Sequence, residues 1–421
     1  AAAEGAFAED SLAASSRRLA SEERNSARFT MQKVFLKKGR ERPIVNGHPW
    51  IFSGAIERVE DDSNSATVTD VLDREGRWLA RGLYNPRSQI RVRVLTWQDE
   101  EIDQPFFTRR LSQAAALRDR HLASSCNAYR LVNGEGDFLP GLVVDRYCDF
   151  FVVQFFTAGM DRFKSMVADS LAGLFPARGI YERSEGGVRE EEGLPPSVGV
   201  LKGEEPPEFI QIEENQLKFL VDIRKGQKTG FFLDQRDNRL LLSSLARDKT
   251  VLNCFAYSGA FTAYALRGGA RQVVSVESSR PALELAKQNF ALNSLSISEA
   301  ELLKADAFSY LKGCKAEFDV VVLDPPSLAL KRRDVAAAAG GYKFLNLHAL
   351  RLLKPAGLLL TFCCSQHISL DLFQKIIFGA AVDSGRKVRL LKRVGHPLDH
   401  PVSLHHPEGE YLKGLLLSVL E

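Results

Sequence analysis

The chain has 421 residues, of which 45% are hydrophobic and 26% are charged, and its formal net charge is +3. The apolar content suffices for packed cores and excludes a largely disordered chain. No stretch approaches the roughly 18 continuous apolar residues of a membrane span. The six cysteines form no C-x-x-C pair and match no zinc pattern, so we expect no metal and no disulfide framework, with free thiols in the reducing cytoplasm.

The N-terminal part of the chain divides at Met31. Residues 1–30 are rich in Ala and Ser and carry charges of both signs without an apolar run, so we expect a disordered extension there. Residues 31–100 contain short β-branched or aromatic runs broken by Gly, Pro, Asn and Asp, which predicts a small β-barrel. Cations crowd its first strand and turn, and Lys37 and Lys38 are candidate RNA contacts, although such a cluster is usually a solvated face.

Residues 101–215 predict a central α+β domain. The segment 106–122 is composed of good helix formers, and two apolar runs flank a D-R-Y-C-D turn that is typical of a hairpin. A second helix is expected over 160–175, followed by a strand at 179–184. The region 185–207 is rich in Gly, Pro and Glu, and we expect a loop there.

Residues 216–421 alternate apolar strands with helical segments. This alternation predicts an α/β domain with a Rossmann-like, doubly wound sheet that is mainly parallel and covered on both faces. The last two strands have no long helix between them, so we expect an antiparallel pair at the sheet edge.

The segment VLNCFAYSGAFT (residues 251–262) runs from a strand into a turn that contains Gly259 and then into a helix. A dinucleotide site would require G-x-G-x-x-G to seat a pyrophosphate at the helix N-terminus. One glycine weakens an NAD interpretation and suits a ligand without phosphate, such as S-adenosylmethionine (SAM). The alternative is an ordinary strand-turn-helix.

Acidic residues close the next two predicted strands. A carboxylate at Glu277 can accept hydrogen bonds from both ribose hydroxyls of a nucleoside. Asp306 can receive an adenine amino group, although helix capping is the competing role. Together with the Gly259 turn, they fall at the ends of three successive strands, which is where ligands bind in such sheets.

The segment FDVVVLDPPSLA places Asp324 at the end of the fourth strand, before Pro325 and Pro326. The prolines fix the backbone and remove N–H donors, so Asp324 and nearby carbonyls are expected to project into the cleft and hold a planar base. Just beyond lie three cations that could hold RNA phosphate or simply form a solvated loop: Lys331, Arg332 and Arg333.

The segment LLLTFCCSQHI ends the fifth strand with Cys363 and Cys364. C5 of cytosine is a poor nucleophile, but attack of a thiolate on C6 makes C5 enamine-like and able to accept a methyl group. A thiolate at this strand end would therefore support covalent catalysis. Cysteine as a small buried hydrophobe is the usual alternative.

These residues together resemble a known family. The chain is similar to the bacterial large-subunit (23S) ribosomal RNA cytosine-C5 methyltransferases with an N-terminal PUA domain. The resemblance extends from about Met31 to the C-terminus. It rests on GHPWIFSGAI, RLVNGEGDFLPGLVVDRY, GIYERS, KTGFFLDQRDNR, NCFAYSGAF, LDPPSLA, TFCCS and HPEGEYLKG.

The resemblance implies a PUA-like β-barrel over 31–100, a central domain over 101–215 and a class I methyltransferase domain over 216–421, with SAM as cofactor. In the family pattern T-F-x-C-S the nucleophile corresponds to Cys364, and Cys363 occupies x. Asp324 is the second predicted catalytic residue. The implied residues around the cofactor and the base are Phe232, Asp234, Gln235, Arg236, Asn253, Phe255, Tyr257, Ser258, Gly259, Glu277, Asp306, Ala307, Asp324, Pro325 and Pro326.

Three other functions remain open from the sequence. A purine N-methyltransferase would need no thiol, a non-catalytic RNA-binding assembly factor would show no turnover, and an NAD-dependent dehydrogenase would bind a different cofactor. The expected partner is ribosomal RNA, free or within an assembling large subunit, and no membrane. A homodimer is left open. Extruding the target base would be necessary if the RNA is a duplex.

Overall fold

The computed structural model describes residues 31–61, 65–122, 125–296 and 300–420, so the extension predicted for 1–30 lies outside the described residues. The described part of the chain forms two compact units. The first contains residues up to Glu101 together with Glu191–Gly193, and the second contains Ile102–Glu190 together with the residues from Leu194 onward. Within the described ranges, no helix has the length and apolar character that crossing a membrane requires.

The first unit is a six-stranded β-structure with the strand order β2-β6-β5-β4-β1-β3. All neighbouring strands are antiparallel except β1 and β4, which are parallel. Alternate apolar residues such as Val34, Leu36, Val92 and Val94 fill its interior, as expected for strands with one buried face. Its elements are β1 (Gln32–Leu36), α1 (Arg42–Val45), β2 (Trp50–Phe52), a 3₁₀ turn (Ser53–Ala55), β3 (Ile56–Glu60), β4 (Thr67–Leu72), β5 (Trp78–Tyr84) and β6 (Ile90–Thr96).

The second unit begins with a five-stranded sheet in the order β11-β10-β9-β8-β7, in which only β9 and β10 are parallel. The predicted helix and hairpin are both present. The elements are α2 (Gln104–Leu122), β7 (Ala128–Asn133), a 3₁₀ turn (Gly134–Asp137), β8 (Leu142–Tyr147), β9 (Phe150–Phe155), α3 (Ala158–Asp161), α4 (Lys164–Leu174), β10 (Gly179–Ser184), α5 (Gly187–Glu191) and β11 (Ser197–Gly203).

The loop expected over 185–207 is wrong in part, because this region contains α5 and β11. Strand β11 pairs antiparallel with β10 at the sheet edge, and Gly199 and Gly203 have positive φ values of 152° and 80°. The glycines and prolines that suggested a loop are compatible with an edge strand, since ladder hydrogen bonds from β10 supply the order that local sequence does not. Glu192, which follows α5, belongs to the first unit. Its carboxylate accepts hydrogen bonds from Arg93 and Asn85 of that same unit, at 2.8 and 2.7 Å.

The remainder of the second unit is a hairpin followed by a seven-stranded sheet in the order β16-β15-β14-β17-β18-β20-β19. The elements are β12 (Ile210–Glu214), β13 (Leu217–Val221), a 3₁₀ turn (Leu233–Gln235), α6 (Arg236–Leu245), β14 (Thr250–Cys254), α7 (Ala260–Arg267), β15 (Gln272–Glu277), α8 (Arg280–Leu292), β16 (Ala300–Lys304), α9 (Ala307–Gly313), β17 (Phe318–Leu323), a 3₁₀ turn (Arg332–Asp334), α10 (Val335–Arg351), β18 (Leu353–Cys363), α11 (Leu370–Ser384), β19 (Val388–Val394), a 3₁₀ turn (Pro407–Gly409) and β20 (Lys413–Val419).

Parallel pairing joins β14 through β18, so these five strands end at one edge of the sheet. Helices cover both faces, and each face has its own buried apolar cluster. Strand β20 is antiparallel to both β18 and β19, and lies between them. The predicted α/β class with a Rossmann-like C-terminal domain is therefore confirmed, and the last two strands do form an antiparallel pair.

Candidate active site

A cavity of about 580 Å³ opens at the carboxyl edge of the parallel strands. This is the edge at which open α/β sheets bind ligands. Three segments supply most of its wall: the stretch before α6, the loop after β14 and the residues after β17. The lining residues are Gln227, Lys228, Phe231, Phe232, Asp234, Gln235, Arg239, Phe255, Ala256, Tyr257, Ser258, Ala260, Phe261, Glu277, Ser278, Asp324, Pro325, Pro326, Ser327, Cys364, Tyr411 and Leu412.

The loop after β14 has an unusual backbone. Phe255, Tyr257 and Gly259 have φ values of 63°, 47° and 79°, and positive φ in bulky residues is costly and typical of functional loops. The Glu277 carboxylate stabilises the loop, since its Oε2 accepts a hydrogen bond from the Tyr257 backbone N–H at 2.9 Å. The other oxygen accepts one from the Ser279 N–H at 2.8 Å. Glu277 therefore joins two strand ends at the cavity wall.

Gly259 is required by the packing of the loop after β14. A Cβ atom at this position would lie 2.8 Å from Cζ of Phe290 and 2.9 Å from Cβ of Ala286, both in helix α8. The glycine thus allows close packing between the loop and a helix, and it is not among the residues that line the cavity. Its positive φ adds a second reason to exclude side chains.

Asp324 lies in the wall where β17 ends. Its Oδ1 accepts a hydrogen bond of 2.9 Å from the Gln235 side-chain amide, and the amide oxygen of Gln235 in turn accepts one of 2.6 Å from Asn238. Burial and the nearby negative charge of Asp234 raise the pKa of Asp324 to about 7. The carboxyl can therefore take up and release a proton near neutral pH.

Asp234 has a contrasting environment in the same wall. Its Oδ2 accepts hydrogen bonds from the Lys228 ammonium and, at 2.8 Å, from the Tyr411 hydroxyl. Burial alone would raise the pKa of Asp234, but the positive charge of Lys228 outweighs it, so the pKa lies below its ordinary value. The cavity therefore contains two carboxyl groups, of which Asp234 is ionised and Asp324 is poised to exchange a proton.

The two adjacent cysteines point in different directions. The Cys364 thiol lines the cavity, and its sulfur lies 3.6 Å from the carbonyl oxygen of Pro325. Burial and the charge of Asp324 raise the pKa of Cys364 to about 12. Cys363 is fully buried in β18 within the apolar cluster on one face of the sheet, so only Cys364 can meet a molecule in the cavity.

Arg236, predicted as a cavity residue, does not line the cavity. Its Nη1 lies 2.9 Å from Oδ1 of Asp399 and its Nε lies 3.4 Å from Oε2 of Glu214. All three side chains are buried. The Arg236 guanidinium thus belongs to a structural ion pair behind the cavity wall, at the point where the 3₁₀ turn ending at Gln235 gives way to α6.

Other predicted residues also lie outside the wall. The Asn253 amide donates to the Thr262 hydroxyl at 3.0 Å, and Asp306 caps helix α9 by accepting from the Ser309 N–H at 2.9 Å, which is the competing role considered above. Ala307 is the first residue of that helix. The cations of segment 331–333 are exposed beyond β17 without lining the cavity. Lys37 and Lys38 belong to the first unit and are exposed there.

Eleven of the cavity-lining residues escaped the sequence analysis, and three of them have clear structural roles: Lys228, Arg239 and Tyr411. Lys228 and Tyr411 hold Asp234 from opposite ends of the domain sequence. Arg239 donates a hydrogen bond to the Phe232 carbonyl oxygen at 2.8 Å and pairs with Glu214 at 2.7 Å. It therefore fixes the stretch before α6, which forms part of the cavity wall. The motifs KTGFFLDQRDNR and HPEGEYLKG contain all three, but only folding brings these two motifs together.

Comparison with known proteins identifies both domains. A family model described as PUA-like domain matches residues 34–97, and one described as S-adenosylmethionine-dependent methyltransferase matches residues 189–402. In structure, a Streptococcus mutans protein described as a SAM-dependent methyltransferase has a TM-score of 0.79 at 24% identity, covering 92% of this chain and 100% of its own. A protein described as a methyltransferase complexed with SAH has a TM-score of 0.81, with the same identity and coverage. The fold and site thus define a SAM-dependent methyltransferase with an N-terminal PUA-like domain.

Curated relatives make the family more specific. A protein of Tolumonas auensis named Ribosomal RNA large subunit methyltransferase I is 46% identical over 393 residues, covering 92% of this chain and 99% of the relative. A protein of Enterobacter sp. with the same name is 45% identical over 394 residues, with the same coverage. The chain belongs to this methyltransferase family. SAM is therefore its cofactor, and the NAD-dependent alternative is wrong.

Proposed function

We propose that this protein methylates C5 of a cytosine in RNA of the ribosomal large subunit, and that Cys364 forms the covalent bond to the base. The observation that carries the proposal is the position of the Cys364 thiol beside Asp324 and Pro325, in the wall of the cavity that Glu277 also lines. The names of the curated relatives support RNA of the large subunit as the substrate. The same family and substrate support a cytoplasmic location.

The cavity suits SAM by volume and by donor set. Its roughly 580 Å³ lies within the ordinary range of small-molecule sites. Glu277 offers carboxylate oxygens to the ribose hydroxyls, while Phe232, Tyr257 and Pro325 offer apolar surface to the rest of the ligand. When bound, SAM supplies an electrophilic methyl group. Asp234 is ionised and would stabilise a positively charged ligand in this cavity.

Replacing Glu277 with glutamine is expected to weaken SAM binding by about 10- to 100-fold, because a charged hydrogen-bond acceptor contributes about 1.5–3 kcal/mol. Isothermal titration calorimetry with SAM and with S-adenosylhomocysteine measures the effect. Glu301→Gln is the control, since that carboxylate binds the exposed Gln272 side chain outside the cavity. Equal SAM affinities of the two variants would show that Glu277 does not bind the cofactor.

The chemistry we propose begins with a proton transfer inside the cavity. The Cys364 thiol gives its proton to the Asp324 carboxylate, which leaves a thiolate next to a neutral acid. The thiolate then bonds to C6 of cytosine, the electrons of the C5–C6 double bond shift toward N3, and Asp324 protonates N3. C5 is now enamine-like and takes the methyl group.

The second half restores the enzyme. Loss of the C5 proton re-forms the C5–C6 double bond and breaks the bond between sulfur and C6, which releases the Cys364 thiolate. N3 also gives up its proton. One of these two protons returns to Asp324 and the other goes to solvent, so the net reaction releases one proton per methyl group transferred. The pKa of about 7 at Asp324 suits a group that accepts and donates in the same cycle.

A transcript of large-subunit ribosomal RNA that contains 5-fluorocytosine tests the covalent step directly. Fluorine cannot leave C5 as a proton does, so we expect the protein to stay attached to the RNA when SAM is present. Denaturing electrophoresis detects the complex, and peptide mass spectrometry should place the nucleotide on Cys364. Attachment through Cys363, or methyl transfer without any complex, contradicts the mechanism.

A second assay, on RNA without the fluorinated base, separates the remaining alternatives. A purine N-methyltransferase would yield a methylated guanine or adenine on nucleoside mass spectrometry, and Cys364→Ala would leave that activity intact. A non-catalytic assembly factor would bind the RNA and transfer no methyl group to any nucleoside. Neither alternative gives a use to a thiol in the cavity wall.

The rate of methyl transfer is expected to rise as pH increases through about 7 and then to level off. Below pH 7 the Asp324 carboxyl is protonated and cannot accept the thiol proton; above it, the carboxylate is ionised and can accept the proton that the Cys364 thiol holds. In Asp324→Asn this step disappears, and the rate should be about 10²- to 10⁴-fold lower at pH 8 and increase about tenfold per pH unit, following ionisation of the thiol. Single-turnover rates between pH 5.5 and 9 measure both profiles. A wild-type rate that falls with rising pH contradicts the proton transfer.

For the first unit we propose RNA binding, supported by its PUA-like domain and by the exposed Lys37 and Lys38. The cations of segment 331–333 are proposed to contact phosphate near the cavity edge. Both sets of cations would position the RNA and take no part in methyl transfer, because phosphate contacts orient an RNA without reading its bases.

A further inference from the structure

Strand β19 forms one edge of the seven-stranded sheet, and within the described ranges its only neighbouring strand is β20. Its five central residues are all exposed, which is unusual for a strand of an α/β sheet. Between Ser384 and Leu398 the sequence contains no Asp or Glu and five cations, namely Arg386, Lys387, Arg389, Lys392 and Arg393. We call this stretch the basic edge. A chain with net charge +3 thus concentrates cations on one sheet edge.

The pairing register separates these side chains by face. Arg389 lies opposite Ser418, and Lys392 lies opposite Leu416, so the two share one face of the sheet. Leu391 is an extra residue in a β-bulge between Leu390 and Lys392. Arg393 is on the other face, where its guanidinium binds Gln374 of α11 at 3.1 Å. Arg389 and Lys392 have no ion pair within the described residues.

The basic edge is continuous with the cavity. Strand β19 is antiparallel to β20, which is antiparallel to β18, so β19 ends at the same sheet edge as β18 and Cys364. The Gly395 carbonyl after β19 accepts a hydrogen bond from Asn238, and the His396 ring lies 4.4 Å from that of the cavity residue Tyr411. Seven strand residues span about 23 Å, which gives room for several phosphates.

We propose that the basic edge binds the phosphate backbone of the RNA that enters the cavity. This inference rests on the proposed function in that RNA is the substrate. An RNA strand bound along Lys387, Arg389 and Lys392 would lead to the carboxyl edge of the sheet, where its target base would reach Cys364. Ammonium and guanidinium groups gain affinity by releasing counterions from phosphates, independently of base sequence.

Charge favours RNA over a second copy of the chain at this edge. Pairing two copies of β19 would bring the cations of one basic edge close to those of the other across strands about 4.8 Å apart, where like charges repel. Cations and bulges also protect edge strands from aggregation, and that role alone predicts no effect on RNA affinity. The difference between protection and RNA binding is therefore measurable.

The test is the affinity of the full chain for an in-vitro transcript of large-subunit ribosomal RNA, without SAM, between 50 and 300 mM KCl. The test variant combines Lys387→Gln, Arg389→Gln and Lys392→Gln. The matched control combines Arg271→Gln, Lys312→Gln and Lys315→Gln, which removes three exposed cations elsewhere in the same unit. Filter binding gives the affinity, and size-exclusion chromatography gives the oligomeric state.

We expect the test variant to bind about tenfold or more weakly near 150 mM KCl, and the slope of log affinity against log salt to decrease by about two to three, from about 0.7–0.9 per lost phosphate contact. The control should bind within about twofold of the wild type. Test and control variants of equal affinity overturn the proposal, as does a test variant that self-associates while binding RNA normally. Loss of binding supports the basic edge even if no RNA is methylated, in which case only the proposed chemistry fails.

Discussion

Replacing Cys364 with serine is expected to reduce methyl transfer to large-subunit ribosomal RNA by at least about 10³-fold, since a serine hydroxyl does not supply the thiolate that the addition to C6 requires. The cavity wall contains the Cys364 sulfur and no other cysteine. Transfer of labelled methyl groups from SAM under single-turnover conditions measures the change.

Cys363→Ser is the matched control, because the neighbouring side chain is fully buried in β18 and faces an apolar cluster. We expect it to retain the rate per folded molecule while losing some stability, since a hydroxyl replaces a buried thiol. SAM affinity should be unchanged in Cys364→Ser, which shows that the cavity is intact. If Cys363→Ser abolishes transfer and Cys364→Ser does not, the assignment of the nucleophile is reversed.

Replacing Asp399 with alanine is expected to lower the free energy of unfolding by about 3–5 kcal/mol, because it leaves the buried Arg236 guanidinium short of its partner. Asp399 is fully buried, and its Oδ2 accepts hydrogen bonds from Arg236 at 3.0 Å and from the Arg130 backbone N–H at 2.9 Å. Its own carbonyl oxygen accepts one from Arg118 at 2.8 Å. It therefore connects the central sheet to the segment that leads to Tyr411.

Urea unfolding followed by far-ultraviolet circular dichroism measures the effect. Tryptophan fluorescence is unsuitable, because Trp50, Trp78 and Trp97 all lie in the first unit. Asp371→Ala provides the control: its pair with Lys375 is exposed, and such i, i+4 pairs contribute only about 0.3–0.5 kcal/mol. A difference of less than 1 kcal/mol between the variants would mean that Asp399 does not hold the unit together.

Much of the catalytic domain could be predicted from local sequence. The alternation of apolar strands and helices predicts a doubly wound sheet, and parallel strands must end at one edge. Glu277, Asp324 and the pair Cys363–Cys364 were predicted in this way, because each closes an apolar strand, while the choice of Cys364 within the pair came from the family resemblance. Position relative to a strand is a local property, so each of these residues could be assigned from its own segment of the sequence.

Other residues could not be assigned in this way. Arg236 lies in the same motif as Asp234 and Gln235, but those two residues line the cavity from the 3₁₀ turn, whereas Arg236 begins α6 and pairs with the buried Asp399. Asp306 is at a strand end as expected, yet its carboxylate binds the first turn of α9. Neither orientation is encoded in the spacing of residue types.

The sequence by itself determined the order of strands and helices, the acidic and thiol-bearing strand ends, and the absence of a phosphate-binding glycine motif, because these depend on neighbouring residues. Only the tertiary structure decided that Lys228 and Tyr411, 183 positions apart in the numbering, share the Asp234 carboxylate, and that one of two adjacent cysteines faces the cavity. Both outcomes depend on distances between segments remote in the chain. So do the pKa values of Asp324 and Cys364, since burial and neighbouring charge exist only after the chain has folded.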